Sequence, residues 1–176
     1  MNILGIDQSY TSTGYCIINE NRDVVRFGVI NTSPETGNIY KRARLITNSI
    51  KQIADEYSAE LIGIEGLAFG GFGNATRDLA GLQFLIIDSF GMEKITITAP
   101  TSVKKIAIGK HKGKIKKQDL FEALPEIVKK SFLDFGLKKT KGLYDVTDSY
   151  WIAVASLLNK QAVMLSSTGD TLLPVK

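Results

Sequence analysis

Four carboxylates stand at positions that suit shared metal chemistry. Asp7 ends the apolar run Leu4-Gly5-Ile6, and Glu65 ends a second one, Leu61-Ile62-Gly63-Ile64. Asp145 and Asp148 lie three residues apart where a C-terminal apolar helix begins, a spacing that puts both on one helical face. A carboxylate at the end of a buried strand costs several kcal/mol unless it is paired or holds a cation. Strand ends within one sheet lie side by side, and a helix packed across the sheet can add its own acids to the same pocket. The set is all oxygen, with no His or Cys cluster, so it selects a hard cation, Mg²⁺ with Mn²⁺ as substitute, over zinc. Two such ions held about 3.5–4 Å apart activate a water and stabilise the leaving oxygen in phosphodiester cleavage. Each acid also has a plainer reading. Asp7 can open a turn with Gln8-Ser9, Glu65 can be an edge residue, and first-turn acids suit the helix dipole. The repetition of apolar run then acid favours ligation, as does the apolar face Trp151, Ile152, Ala155, Leu158 running beside Asp148.

The chain also carries a surface for phosphates. Residues 1–97 hold eight basic against eleven acidic side chains, whereas residues 98–176 hold fourteen against seven. That asymmetry points to an anionic partner for the second half. Seven of its lysines fall between positions 104 and 117: Lys104, Lys105, Lys110, Lys112, Lys114, Lys116 and Lys117. His111 sits among them, and Lys138, Lys139 and Lys141 precede Asp145. A solvated charged surface is the plain alternative, but the lysine density and the flanking Gly109 and Gly113 favour a loop that tracks phosphates. Lysine-dominated contact reads the DNA backbone more than the bases, and its affinity falls steeply with salt. After Glu65, Phe69 and Phe72 stand among four glycines. Rings there can wedge between stacked bases or fold back as a lid on the core.

These residues need a framework. Apolar runs at 2–8, 13–19 and 24–31 read as three strands joined by tight turns, an antiparallel meander. A helix is expected from Ile39 to Tyr57, with an apolar stripe of Leu45, Ile46, Ile50, Ile53 and Ala54. Strands at 61–65 and 94–99 follow, separated by a helix from Asn74, read as its N-cap, to near Gly91. A short helix comes after Pro100, then a helical stretch at 115–133 that Pro125 splits, then a long helix from Tyr144 to Met164. The order implies an α/β fold around a five-stranded mixed sheet, three antiparallel strands with parallel additions, flanked by helices. Residues 1–165 are expected to form one domain and 166–176 a flexible tail. No apolar run reaches the roughly 18 residues needed to span a bilayer. With a single cysteine, Cys16, placed in an apolar strand, and no secretory signal in MNILGIDQ, the expected location is cytoplasmic.

The stretches GID-Q-S-Y-TSTGY, I-E at the fourth strand and D-V-T-D entering the last helix resemble RuvC-type Holliday junction resolvases over about residues 1–160. Weaker matches are N-A-x-x-x-L after the glycine loop and P-x-x-V-K-K. The resemblance implies a ribonuclease H-like fold, junction cleavage with two Mg²⁺ ions per site, and Asp7, Glu65, Asp145 and Asp148 as the catalytic carboxylates. It further implies Lys104 and one of Lys116 or Lys117 as phosphate-binding lysines, branched DNA as partner, and a homodimer built on the helix from Asn74. A bacterial cell or a phage-infected host is the implied setting. The chain departs from the pattern at Ala68, where the family usually has an aromatic, and at Ser9, where it usually has glycine. Either Phe69 or Phe72 can take the aromatic's place. Three other classes compete. One is a ribonuclease H acting on RNA–DNA hybrids, and another is a junction-binding module that no longer cuts, against which all four acids are present. The third is an actin-like-fold kinase, suggested by IDQSYTSTG, against which no second copy of the domain is found.

Overall fold

The computed structural model describes residues 1–67, 73–109 and 113–168. Five strands form one sheet in the order β3-β2-β1-β4-β5: β1 (Asn2–Asp7), β2 (Ser12–Ile18), β3 (Val24–Asn31), β4 (Ala59–Glu65) and β5 (Ile95–Thr98). The first three pair antiparallel, while β4 and β5 add parallel to β1, as the sequence order implied. Because β1 and β4 are parallel neighbours, with Ile6 opposite Ile64, the acids that follow them leave the sheet side by side.

Side-chain alternation divides the core between the two faces of the sheet. Leu4, Ile6, Tyr15, Ile17, Ile62 and Ile64 face α1 (Ile39–Glu56) and α2 (Asn74–Phe90), which bury Ile46, Ile50, Leu82 and Ile86 against them. Ile3, Cys16, Ile18 and Leu61 face the remaining helices: α3 (Pro100–Ile108), α4 (Lys117–Glu122), α5 (Glu126–Asp134) and α6 (Leu143–Thr168). Cys16 is fully buried there, and burial pushes its thiol pKa up, as expected of a core thiol.

α6 lies directly across the middle of the sheet, and glycine makes this possible. A Cβ on Gly5 would stand 2.0 Å from the Ser149 carbonyl oxygen, one on Gly14 2.2 Å from that of Asp145, and one on Gly63 2.2 Å from the Ser156 hydroxyl. Three adjacent strands thus present a bare track on which the helix backbone rests. Asn159 ties the helix to β5 through Thr98 at 3.1 Å, and Ser149 donates to the Asp145 carbonyl at 2.6 Å.

Two boundaries differ from the sequence reading. Asn74 is the first helical residue of α2 rather than its cap; Gly73 holds the cap position and no side chain bonds there. α6 continues through Thr168, past the expected end near Met164 and into the segment read as tail. Residues 169–176 lie outside the described residues. Pro125 separates α4 from α5 as expected. Among the described residues no helix is long and apolar enough to cross a membrane.

Candidate active site

The fold brings the four predicted carboxylates to one end of the sheet. Asp7 closes β1 and Glu65 closes β4, while Asp145 and Asp148 occupy the first turns of α6 on the glycine track. Burial raises the Asp7 pKa well above the usual carboxylate range, and Asp148, Asp145 and Glu65 push it further in the same direction, with Lys117 opposing. Glu65 is raised first by burial and then by Asp148, with Lys104 and Lys117 opposing. Asp148 is likewise raised, burial again leading, while Lys117 and Lys104 pull it down and Asp145 pushes it up. Asp7 is therefore acted on by all three other acids, and Asp7, Glu65 and Asp148 each hold a proton more readily than a free carboxylate does.

One cation stands among them. Lys117 Nζ lies 3.3 Å from Asp148 Oδ2 and 3.8 Å from Asp145 Oδ1. Burial alone would lower this ammonium's pKa, but Asp148, Asp7 and Asp145 more than offset that, and it ends above its ordinary value. The helix carrying Lys117 is pinned onto α6: Trp151 Nε1 donates to the Leu120 carbonyl at 3.0 Å, and the Tyr144 hydroxyl donates to Gln118 at 2.7 Å. Lys104, on α3, also lowers the pKa values of Glu65 and Asp148.

The remaining predicted contacts separate into groups. Lys105, Lys114 and Lys116 are exposed on the same helical layer, with no ion pair to the acids. Lys138, Lys139 and Lys141 are exposed in the turn before α6. Phe69, Phe72, Lys110, His111 and Lys112 lie outside the described residues.

Several positioning residues escaped the sequence reading. The Ser12 hydroxyl donates to Asp145 Oδ2 at 2.5 Å and fixes that carboxylate. Gln83 Nε2 donates to the Glu65 carbonyl at 2.9 Å, and Gln8 Nε2 approaches the same oxygen at 3.5 Å. Thr13 closes the turn after Asp7 by donating to the Ser9 carbonyl at 2.5 Å. Only the glycines left a trace in the sequence, one at the centre of each core strand, and Gly5, Gly14 and Gly63 are interpretable once α6 is known to cross them.

This donor set fits hard divalent cations. It is oxygen only, its negative charge exceeds that of the neighbouring lysines, and one of its carboxylates, Asp145, is held by the Ser12 hydroxyl. Among the described residues no three acidic groups already converge into a finished cage, and Lys117 occupies part of the space between them.

With that geometry in place, the sequence profile described as "Crossover junction endodeoxyribonuclease RuvC" matches residues 3–155. The chain belongs to the RuvC family. It is a junction-resolving endonuclease of a metal-dependent class. A RuvC from Campylobacter hominis, described as a crossover junction endodeoxyribonuclease, is 28% identical over 170 residues, covering 93% of this chain and 99% of that protein. The fold is also that of solved resolvases. Thermus thermophilus RuvC, in complex with a Holliday junction substrate, superposes with a TM-score of 0.67 at 14% identity over 97% of both chains. The yeast mitochondrial Holliday junction resolvase does so with a TM-score of 0.65 at 16% identity, over 94% of this chain and 83% of that one. The ribonuclease H-like expectation is thereby met.

Proposed function

We propose that this RuvC-family chain resolves four-way DNA junctions by paired symmetric nicks, with Asp7, Glu65, Asp145 and Asp148 holding two Mg²⁺ ions. The observation that carries this reading is Asp7, a partly buried carboxylate on which the other three acids all act. Two bound cations supply an activated water for in-line attack and stabilisation of the departing 3′ oxygen, leaving a 5′ phosphate and a 3′ hydroxyl. Asp7, on which the other three acids all act, would serve as a ligand common to both cations. Asp148, the acid acting most strongly on Asp7, would help hold the cation on the nucleophile side, and Glu65 or Asp145 would help hold the one on the leaving-group side. Ser12 orients Asp145 throughout. Lys117, which pairs with Asp145 and Asp148, and Lys104, which acts on Glu65 and Asp148, would supply positive charge to the scissile phosphate. Lys105, Lys114 and Lys116 track the backbone on either side.

Two nicks related by symmetry require two active sites, and α2 offers the pairing surface. Phe84 and Leu85 are 68% and 38% exposed on that helix, an apolar pair that a second copy of the chain would cover. The resulting homodimer would act in the cytoplasm of a bacterium or a phage-infected host.

The decisive assay offers a synthetic four-way junction, an RNA–DNA hybrid and a linear duplex in Mg²⁺. Symmetric paired cuts in the junction alone are expected. Asp7→Asn is expected to bind the junction and to cut at least about a thousandfold more slowly, the scale of losing a transition-state charge partner. Preferential cutting of the hybrid, or wild-type cutting by Asp7→Asn, would refute the reading.

A further inference from the structure

α1 carries a charge pattern that its own stability does not explain. From Ile39 to Ala54 the helix has no acidic residue, while Lys41, Arg42, Arg44 and Lys51 are basic; its only acids, Asp55 and Glu56, come at the very end. A helix dipole favours the reverse, acids in the first turn and bases in the last. The arrangement also stands out against the acidic balance of the first 97 residues, which pointed to the second half for the basic, phosphate-binding surface.

The location of the charges gives them a use. The residue following β3 and the loop following β1 meet the start of α1. Arg42 Nη2 donates to the Tyr10 carbonyl at 2.6 Å, and its Nε donates to the Thr32 hydroxyl at 3.0 Å. Tyr10 is three residues beyond Asp7, so the basic end of α1 lies at the catalytic end of the sheet. The acidic end is held at the far end, where Asn2 donates to the Tyr57 carbonyl at 2.7 Å. Arg42 thus acts as an anchor, leaving Lys41, Arg44 and Lys51 exposed, none of them ion-paired among the described residues. Lys41 and Arg44 line a shallow face completed by Tyr40, Leu45, Asn48, Ser49 and Gln52, whereas Lys51 lies further along, beside Asp55 and Glu56. The face offers ammonium, guanidinium, amide and phenol donors spaced one turn apart, and no carboxylate until Asp55.

We propose that this α1 face is a second DNA-contact surface, which holds the phosphate backbone of a duplex arm of the substrate on the side of the sheet opposite the lysines of α3 and α4. The inference rests on the junction reading above. Exposed, unpaired cations that run against the helix dipole, starting beside the catalytic loop, complement a polyanion that extends out of the active site. Both faces of the sheet then contact DNA: the α4 side at the bond to be cut, the α1 side on an arm leading away from it.

The test is equilibrium binding of a fluorescent four-way junction in EDTA across a salt series, comparing wild type with Lys41→Gln/Arg44→Gln. Loss of two phosphate contacts is expected to weaken binding about tenfold at moderate salt and to flatten the log–log salt slope by about 2. The expected thermal melting temperature is equal to or above that of wild type, which separates lost contact from lost folding. An unchanged slope and affinity in the double variant would overturn the proposal and would leave the face to a protein partner or to solvent. That outcome differs from failure of the junction reading, in which wild type itself neither binds nor cuts the junction.

Discussion

The two faces of the sheet handle charge in opposite ways. On the α6 face, acids stand partly buried at one end of the sheet where three of them are shifted toward their neutral forms, relieved in part by Lys117 and Lys104. On the α1 face, cations stand in open water above an ordinary apolar layer of Ile46, Ile50, Leu82 and Ile86. Burying like charges is costly and is maintained by rigid surroundings: the glycine track, the Ser12 bond and the pinning of α4 by Trp151. Exposing cations costs little and needs no such framework. The contrast separates two tasks, chemistry at a fixed point and attachment along a flexible polymer.

The strongest way to break the rigid half is to remove its track. Gly5→Ala would place a Cβ 2.0 Å from the Ser149 carbonyl, which is backbone and cannot rotate away. Lifting α6 off the sheet is expected to destabilise by roughly 3 kcal/mol. For a chain of this size that is a fall on the order of 6–12 °C in melting temperature. Junction cleavage should fall with it, because Asp145 and Asp148 move with the helix. Thermal melting and cleavage assays check both, and a near-neutral Gly5→Ala would show that the close approach is not needed.

A subtler probe uses the protons. Asp7 has a folded pKa above its unfolded one, so it binds its proton more tightly when folded. Its favourable contribution is therefore fully present below the ordinary carboxylate range and is lost as pH rises through the raised value. In the metal-free protein, the melting temperature of Asp7→Asn minus that of wild type is expected to grow as pH rises toward neutrality. A difference that stays flat across that range would mean Asp7 is not buried among like charges.

The smallest effect belongs to the α1 face. Arg44→Glu changes an exposed residue in the second turn of α1 and is expected to alter stability by no more than about 0.5 kcal/mol while junction affinity falls. Chemical denaturation reads the first and the salt-dependent binding the second. A larger loss of stability would mean that Arg44 serves the fold instead.

How far the sequence foretold this depends on which kind of information each feature carries. The strands were legible because an apolar run ending in an acid is a local pattern, and β1 and β4 both show it. Asp145 and Asp148 were legible because helical spacing and the apolar face after them are also local. The glycines were visible but mute: Gly5, Gly14 and Gly63 acquire meaning only from a helix more than eighty residues away in the chain. Ser12 holding Asp145 is likewise a long-range contact between residues with no shared motif. The α1 cations were hidden by averaging, since a net-acidic first half concealed a basic helix within it. Asn74 was misread as a cap because asparagine suits that position in general, whereas here Gly73 takes the extended backbone and the cap goes without a side-chain bond.

The central claim is that four distant carboxylates form one cation site. The most direct measurement is thermal melting of the metal-free protein with and without Mg²⁺, for wild type and for Asp7→Asn. At a hundredfold excess over its dissociation constant, bound Mg²⁺ should stabilise wild type by about 2.7 kcal/mol. Asp7→Asn, lacking the carboxylate on which the other three acids act, should lose most of that shift. Equal Mg²⁺-induced shifts in the two proteins would contradict the account.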